Sequence, residues 1–423
     1  MGRPNRLVGD WYADTEDGID HGSDVRTPLG LGVTDIEPPE AFRSSGGELR
    51  TDVAAHKYTD HIIGRAATRE AIADAWLRND RLAEPIPVSE MDNGHPCVAV
   101  TAGGQAAIHH AVNAALSDGE KALLIEPYYP YHAKSVRVFR RDDAVVTVET
   151  DATEGFQPPV EAIRDIVASE PIGALVLCSP DNPTGVQYDA DWLARVAAVA
   201  CAEDLTVVSD EVYAFLSFDD APHRSIATFP GMAERTLVVG SFSKVLGLSG
   251  WRLGFLRVPE AFVDPVRQVI DAVSMQSVTP GQVLLERTLR GEDPMSRADA
   301  ATRRFRDRMG VLVEPFADSE KTTVHRPEGG FYLFPTVAEP YRGDPAARGG
   351  YETAVEELPS GTRVRSGDCL FYHLLSAAGV EGVPGRTFGD GLATEAVRLA
   401  FGNVPAAELE DAADRIEAAL ETF

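Results

Sequence analysis

The feature that most constrains the fold is an alternation of short apolar segments with amphipathic ones between residues 97 and 241. The apolar segments are CVAVT (97–101), KALLIEP (121–127), ALVLCSP (174–180), LTVVSDE (205–211) and TLVVGS (236–241). Two of the intervening stretches, QAAIHHAVNAAL and ADWLARVAAVACAED, have the apolar spacing of helices. Continuous apolar strands separated by helices predict an α/β fold with a mainly parallel central sheet covered by helices on both faces.

The flanking regions have different patterns. The first 50 or so residues are rich in Gly, Pro and Asp, which predicts an extended arm, and residues 66–79 have helical spacing with Ala67, Ile72 and Trp76 on one face. Beyond about residue 290 the sequence predicts helices, a short GGFYLF strand and a C-terminal amphipathic helix with Leu409 and Ile416 on its apolar face.

A chain of 423 residues is too long for one ordinary core. We therefore predict three parts: an N-terminal arm over residues 1–55 that joins the small domain, a large domain over 56–290, and a small C-terminal α+β domain over 291–423. The Pro- and Gly-rich stretch 336–366 lies within the small domain.

The charge balance excludes some partners. Lys plus Arg total 39 against 66 Asp plus Glu, and no basic cluster of the kind that binds nucleic acid or an anionic membrane is visible. The four cysteines form no CxxC pair and have no His at metal spacing, so we expect no metal site and a reducing compartment. Without an apolar leader or a membrane-length apolar stretch, the sequence predicts a cytoplasmic protein.

Several polar residues follow the predicted strands directly. Because ligands of open α/β sheets bind beyond the carboxyl ends of the strands, these positions are the candidate site. They are Gly103, Gly104, Tyr128, Asn182, Asp210, Tyr213, Ser241 and Lys244. Each is ambiguous alone, since a single lysine is ordinarily a surface residue and an Asp at a strand end is often a helix cap.

The motifs around these positions are more specific together than apart. In chain order they are SPDNPTG (179–185), DEVY (210–213), SFSKVLGLSGWRLGF (241–255), PEGGFYLF (327–334), VPGRTFG (383–389) and VRLAFG (397–402). This set resembles the class I/II aminotransferases of pyridoxal phosphate (PLP) fold type I over residues 30 to 402. The resemblance implies an aspartate aminotransferase-like fold and PLP as the cofactor.

The resemblance implies a role for each residue near the reacting ring. Lys244 matches the lysine that holds the PLP aldehyde as a Schiff base. Asp210 matches the carboxylate that keeps the pyridine nitrogen protonated, which the cofactor needs to withdraw electrons. Tyr213 and Asn182 match the hydrogen-bond partners of the phenolic oxygen. Tyr128 matches the aromatic residue that stacks on the ring, although Tyr129 is a rival and Tyr131 a weaker one.

Other positions match the ligands of the phosphate and of the substrate. The phosphate ligands implied are Gly103, Gly104, Gln105, Ser241, Ser243 and Arg252. Arg398 matches the arginine that binds the substrate α-carboxylate, a planar group that suits a guanidinium. Asn182 and Gly32 are also expected beside the substrate. Tyr58 resembles the tyrosine that reaches the phosphate of the neighbouring subunit, which implies a homodimer with shared active sites.

The substrate side chain stays open at this stage. The arm carries Asp14, Glu16, Asp17 and Asp20, which could favour a cationic amino acid such as arginine if the arm folds over the pocket. A solvated acidic arm is the simpler alternative. The segment PLGLGVTDIEPPE and the stretch 336–366 depart from the family pattern where side-chain recognition is expected.

The reaction type also has alternatives. The leading hypothesis is an aminotransferase that passes the amino group of an L-amino acid to a 2-oxo acid. A PLP-dependent lyase, cyclase or O₂-using oxidase or hydroxylase of the same fold, acting in specialised metabolism, begins with the same chemistry at Cα. A regulator built on such a domain needs a DNA-binding domain, and only about 50 net-acidic residues precede the match.

Overall fold

The computed structural model describes residues 27–423 apart from residues 50, 139, 141, 151, 219–221 and 292. The arm acids Asp14, Glu16, Asp17 and Asp20 therefore lie outside the described residues.

The centre of the fold is a seven-stranded sheet in the order β2-β8-β7-β6-β5-β3-β4. Its strands are β2 (Val98–Thr101), β3 (Lys121–Glu126), β4 (Val145–Glu149), β5 (Ile172–Cys178), β6 (Thr206–Asp210), β7 (Thr236–Ser241) and β8 (Gly254–Arg257). Strands β4, β3, β5, β6 and β7 pair in parallel, whereas β8 pairs antiparallel with both β7 and β2. Nearly every side chain of the inner strands is buried, which explains their continuous apolar sequences.

Helices cover the sheet and form most of the remaining regular secondary structure. In chain order the α-helices are α1 (Glu40–Ser44), α2 (Gly46–Leu49), α3 (Ala66–Ile72), α4 (Gly104–Ala115), α5 (Pro130–Arg137), α6 (Val160–Ser169), α7 (Ala190–Ala202), α8 (Phe242–Val245), α9 (Val263–Val273), α10 (Thr279–Leu289), α11 (Ser296–Ala317), α12 (Tyr351–Glu357), α13 (Ser366–His373) and α14 (Ala406–Thr422). Single π-helical turns extend α3 over Ala73–Leu77 and α13 over Leu374–Ala378. Among the described residues, no helix is both long and apolar enough to cross a membrane.

The C-terminal region is built on small sheets and long helices. Its strands are β9 (Thr322–Thr323), β10 (Tyr332–Leu333), β11 (Thr336–Val337), β12 (Val380–Glu381), β13 (Val383–Pro384) and β14 (Val397–Ala400). Strand β14 lies between β10 and β13, antiparallel to both. Helices α11 and α14 pack against each other. The N-terminal segment joins this region, because β1 (Thr27–Pro28) pairs in parallel with β12.

The structure confirms the predicted fold class and adds two strands to the sheet. Strand β4 has the sequence VVTVE and β8 the sequence GFLR; neither was predicted, since short segments with charged residues give a weak strand signal. The GGFYLF segment forms a strand over only two residues, Tyr332–Leu333. The stretch 336–366 contains β11 and α12, so it is more regular than its Pro and Gly content indicates. The three-part domain division stays a prediction.

Candidate active site

The predicted strand-end residues converge because three parallel strands end side by side. The register pairs Cys178 at the end of β5 with Asp210 at the end of β6, and Asp210 with Val239 on β7. The backbone N–H of Ser179 also donates to the carbonyl of Asp210 at 3.0 Å. The loops after these strands therefore bring Asn182, Asp210 and Lys244 to one edge of the sheet.

Lys244 lies in α8, one short turn after β7. Ser241 is the N-cap residue of this helix, and its hydroxyl accepts a hydrogen bond from the backbone N–H of Ser243 at 3.3 Å. The Lys244 Nζ donates to the carbonyl of Gly32 at 2.5 Å. Burial, together with the positive charges of Arg398 and Arg252, lowers the pKa of Lys244 to about 8. An amine with that pKa is neutral far more often at physiological pH than an ordinary lysine.

Asp210 is buried and has a partner that the sequence did not reveal. Its Oδ2 lies 3.0 Å from His132 Nε2, and both side chains are almost fully buried. His132 lies in the first turns of α5, within the motif EPYYPYH, rather than at a strand end. Strand-end reasoning therefore missed it; its position three residues after Tyr129, on the helix that starts there, is the only sequence signal.

The hydroxyl of Tyr213 shares a hydrogen bond with that of a second tyrosine. Its hydroxyl lies 3.0 Å from that of Tyr332, and the two rings meet edge to face. Burial raises the pKa of Tyr213 well above its usual value. Tyr332 comes from β10 of the C-terminal region and also touches the backbone near Gly32, where an added Cβ would lie 2.6 Å from the Tyr332 hydroxyl. Tyr332 is thus a second site residue that was not predicted.

A glycine-lined anion cradle lies beside Lys244. Gly103 has a left-handed φ of 82° and precedes α4, a helix of 12 residues. An added Cβ on Gly103 would lie 2.8 Å from Nη2 of Arg252, and one on Gly104 would lie 3.2 Å from Ser241 Cβ. The guanidinium and the hydroxyl thus meet the N-terminal end of α4, where free backbone N–H groups favour anions.

The remaining cradle residues differ in burial. Ser243 is buried, whereas Gln105, in the first turn of α4, is exposed. Arg252 has a left-handed φ of 52°, and its Nη1 donates to the carbonyl of Ser249 at 2.9 Å. This conformation turns the Arg252 side chain back towards the cradle.

Arg398 lies on β14 and is almost fully buried. Its Nη1 donates to Asn182 Oδ1 at 3.1 Å, and its Nη2 donates to the carbonyl of Gly30 at 2.8 Å. The rings of Tyr332 and Phe388 lie against the guanidinium, with centroids 4.8 and 5.0 Å from Cζ. Arg398 Nε has no hydrogen-bond partner among the described residues. The guanidinium is therefore oriented by aromatic rings and retains donor capacity for a carboxylate.

The segment that carries Gly30 and Gly32 is held by an ion-pair cluster. Asp35 accepts from Arg304 at 2.9 Å and from Arg308 at 2.6 Å. Although burial acts in the opposite direction, the two guanidinium groups keep the pKa of Asp35 below its usual value. Both arginines lie on α11, so the cluster fixes the segment against the C-terminal region.

The surroundings of Tyr128 and Tyr129, the two leading candidates for the stacking aromatic residue, differ, and the role itself stays a prediction. Tyr128 points towards Arg137, Glu126 and Asp390, all outside the cluster around Asp210. Tyr129 is the residue whose phenol lies near Asp210, Arg398 and Tyr332, and its ring meets His132 edge to face at 5.6 Å. Successive residues of an extended segment point to opposite sides, so the surroundings favour Tyr129, the rival candidate, over Tyr128.

Tyr58 is not brought to the site within its own chain. It is 75% exposed and lies in a surface depression with His56, Lys57, Gln276 and Pro280.

Comparisons with known proteins identify the family of the chain. The family model described as "Aminotransferase class I and II" matches residues 27–416. An aspartate aminotransferase from Pyrococcus abyssi is 30% identical over 74% of this chain and 76% of its own length. A probable N-succinyldiaminopimelate aminotransferase from Mycobacterium tuberculosis is 35% identical over 72% of this chain and 73% of its own length.

Coverage is lower for a plant relative. A bifunctional aspartate and glutamate/aspartate-prephenate aminotransferase from Petunia hybrida is 29% identical over 77% of this chain, and the match spans 64% of that enzyme, less than two thirds of its length.

Solved structures give the same result over nearly the whole chain. An aspartate aminotransferase from Thermus thermophilus with maleate has a TM-score of 0.78 at 26% identity, covering 99% of this chain and 97% of its own. An aromatic aminotransferase from Pyrococcus horikoshii has a TM-score of 0.77 at 26% identity, covering 96% and 98%. The chain therefore belongs to the class I and II aminotransferases of fold type I, a family whose cofactor is PLP.

Proposed function

We propose that this aminotransferase moves the amino group of an L-amino acid to a 2-oxo acid at the site formed by Lys244, Asp210 and Arg398. The observation that carries the proposal is Lys244, a partly buried amine with a pKa of about 8 in the short helix that follows β7. It lies between a glycine-lined anion cradle and a buried arginine with spare donor capacity. These are the features that a phosphate-bearing cofactor and an α-carboxylate require.

The residues of the site fit PLP. The cradle can hold a phosphate, because the glycine at position 103 leaves space beside the Arg252 guanidinium that a side chain would fill. Its residues are Gly103, Gly104, Ser241, Ser243 and Arg252. Gln105 extends the cradle from the first turn of α4.

Other residues of the site are suited to contact the PLP ring. The buried Asp210 supports a protonated ring nitrogen, and His132 holds that carboxylate in place. Tyr213 and Asn182 supply polar groups for the phenolic oxygen, and Tyr129 supplies the aromatic face. When bound, PLP supplies an electron-withdrawing ring that makes the substrate's Cα hydrogen acidic.

Arg398 is proposed to bind the substrate and Lys244 to transfer the proton. Arg398 binds the α-carboxylate and so fixes the orientation of Cα. In its neutral form, Lys244 Nζ accepts the proton from Cα and would pass it to the former aldehyde carbon of the cofactor. In the reverse half-reaction it would carry a proton back to Cα. The lowered pKa of Lys244 suits both steps, because a base with a pKa near the working pH can gain and lose a proton readily. Amino-group transfer is favoured over lyase, cyclase or oxidase chemistry by the aminotransferase names of the relatives.

The test is a complete pair of half-reactions followed by absorbance. The panel contains arginine, aspartate, tyrosine and alanine. We expect at least one of them to convert the PLP form to the pyridoxamine phosphate form, and a 2-oxo acid to restore the PLP form. Ammonia release, or O₂ consumption without an oxo-acid acceptor, would contradict amino-group transfer. The same panel tests the cationic preference suggested by the arm acids, and no preference for arginine, or a preference for aspartate, would overturn it.

The dimer is supported by an exposed apolar surface. We call it the Tyr58 surface and define it as Val53, Tyr58, Val273, Met275 and Val278, each at least half exposed. The two stretches that form it are joined, since Thr59 bonds Gln276 and Thr279 bonds the carbonyl of Lys57. A contiguous apolar surface of this kind marks a protein contact. A second copy of the chain is the occupant we propose, with Tyr58 reaching the partner's phosphate.

Disrupting the Tyr58 surface should separate the subunits. We expect the wild type to run at twice the 45.5 kDa chain mass in size-exclusion chromatography with light scattering, and Val278→Glu to run as a monomer with little activity. Burying a new carboxylate in an apolar contact opposes association. Val355→Glu is the matched control, because Val355 is similarly exposed on α12. A dimeric, active Val278→Glu protein would overturn this interface. The cytoplasmic location stays a prediction.

A further inference from the structure

A buried carboxylate outside the site connects the central sheet to the C-terminal region. Glu126 is the last residue of β3 and is only 3% exposed. Its strand neighbour in the parallel register is Glu149, the last residue of β4. Side by side, these two strand ends present a buried and an exposed carboxylate to the loop 388–391.

The loop 388–391 binds Glu126 through its backbone. The N–H of Gly391 donates to Glu126 Oε1 at 2.7 Å, and the backbone of Asp390 also bonds this carboxylate. Beside them, the N–H of Tyr128 donates to the carbonyl of Phe388 at 2.9 Å. Charge-assisted hydrogen bonds to a carboxylate are among the stronger ones in proteins.

The glycines of the loop permit this close approach. An added Cβ on Gly389 would lie 2.2 Å from Glu126 Cδ, and one on Gly391 would lie 2.4 Å from Glu149 Cδ. These distances are far below a van der Waals contact. The loop backbone is therefore fitted to the two carboxylates.

The same loop places an aromatic ring against Arg398, the residue proposed to bind the substrate α-carboxylate. Phe388 is 1% exposed, its ring centroid lies 5.0 Å from Arg398 Cζ, and it meets Phe334 edge to face. A ring against a guanidinium limits the directions in which its donors can point. Movement of the loop would thus change the orientation of Arg398.

We propose that Glu126 is a positioning residue for substrate binding, whose carboxylate holds the loop 388–391 so that Phe388 orients Arg398 towards the α-carboxylate. The proposal rests on the proposed function of Arg398. It assigns Glu126 no contact with the substrate or the cofactor.

The hydrogen bonds between the Glu126 carboxylate and the loop 388–391 depend on pH. Burial is the main cause that raises the pKa of Glu126 to about 7, and the neighbouring charges of Glu149 and Asp390 add to it, while the backbone donors of the loop oppose it. Tyr128, with Arg137 beside it, also lies near Glu126. The ionised carboxylate accepts two N–H donors, and protonation weakens both bonds. The KM for the amino acid should therefore rise as the pH falls through about 7.

The central test is Glu126→Gln in the holoenzyme. The amide resembles the protonated carboxyl, so at pH 8 we expect KM to rise about five-fold, the size of a coupling of roughly 1 kcal/mol, with kcat within two-fold of the wild type. Between pH 8 and pH 6 the KM of the wild type should rise as Glu126 becomes protonated. The KM of the variant should not show this rise. A KM like that of the wild type at both pH values would overturn the proposal, as would a fall in kcat without a change in KM.

Equilibrium binding gives a readout without turnover. The probe is 2-aminoisobutyrate, which has an α-carboxylate and an amine but no Cα hydrogen, titrated by absorbance. We expect Glu126→Gln to weaken its binding about five-fold at pH 8, and Arg398→Lys, as the positive control, to weaken it more. Unchanged binding in Glu126→Gln alone would contradict the proposal.

Glu149→Gln is a second variant that keeps the test decisive if Glu126→Gln does not fold. It removes a neighbouring charge without removing the loop's ligand, so the rise in KM should move to lower pH while KM at pH 8 stays within two-fold of the wild type. An unshifted pH profile would contradict the proposal. A wild type without the half-reactions would instead overturn the proposed function, so the two failures are distinguishable.

Discussion

Lys244→Ala should lower kcat/KM by at least about 10⁴-fold, because the variant loses both the cofactor's covalent attachment and the base at Cα. The wild type treated with borohydride should retain PLP on Lys244 after denaturation, and the variant should not. The measurements are steady-state kinetics and mass spectrometry of the reduced protein. The pKa of about 8 adds a pH dependence. At pH 7 only about a tenth of Lys244 is neutral, so capture of PLP by the apoenzyme should accelerate up to about pH 9.

Lys121→Ala is the matched control for that experiment. Lys121 pairs with Glu170 at the start of β3, far along the strand from the site, and its removal should leave the kinetics unchanged. A reducible PLP adduct of normal yield in Lys244→Ala would show that another amine carries the cofactor.

Asp210→Asn should lower kcat by about 10³-fold while leaving PLP bound, since an amide cannot stabilise a proton on the ring nitrogen as a carboxylate does. The phosphate cradle and Lys244 are untouched, so the purified variant should still be yellow. A PLP analogue methylated at the ring nitrogen carries a fixed positive charge and should restore part of the rate in the variant only. Stopped-flow absorbance of the first half-reaction measures both effects.

Asp181→Asn is the control for Asp210→Asn. Asp181 is another buried carboxylate near the end of β5, but it accepts from Thr184, a bond that an amide can also accept. We expect a loss of less than about ten-fold there, typical of one neutral hydrogen bond. Equal losses in the two variants, or no rescue by the methylated analogue, would contradict the role of Asp210.

The fold could be predicted largely because a buried parallel sheet imposes a local signal. Each inner strand is covered on both faces, so its sequence is continuously apolar, as in β5 and β7. The edge strand β4 is only partly buried, and β8 carries the buried Arg257, so neither has that signal. The antiparallel direction of β8 depends on the loop before it, which no local pattern reports.

The site was predictable where one residue ends one strand, and not where two distant elements meet. Lys244 and Asp210 follow apolar runs directly. His132 and Tyr332 belong to the site only because α5 and β10 fold against those strands, and such contacts leave no trace in local spacing. The choice between Tyr128 and Tyr129 stays open for a related reason, since a strand's end can be located from sequence only to within about 2–4 residues.

The carbonyls of Gly30 and Gly32 have a consequence for affinity. They accept from Arg398 and Lys244, the two cations that a substrate and a cofactor would engage. Arg398 can meet a carboxylate without giving up the carbonyl of Gly30, because its Nε has no partner among the described residues. Lys244 differs, since its amine must leave the carbonyl of Gly32 to bond with the cofactor, so attachment exchanges one hydrogen bond for the new covalent bond and the net gain is reduced by that bond. The N-terminal segment is therefore an internal competitor for the amine, and its strength sets how readily Lys244 returns to the cofactor after each turnover.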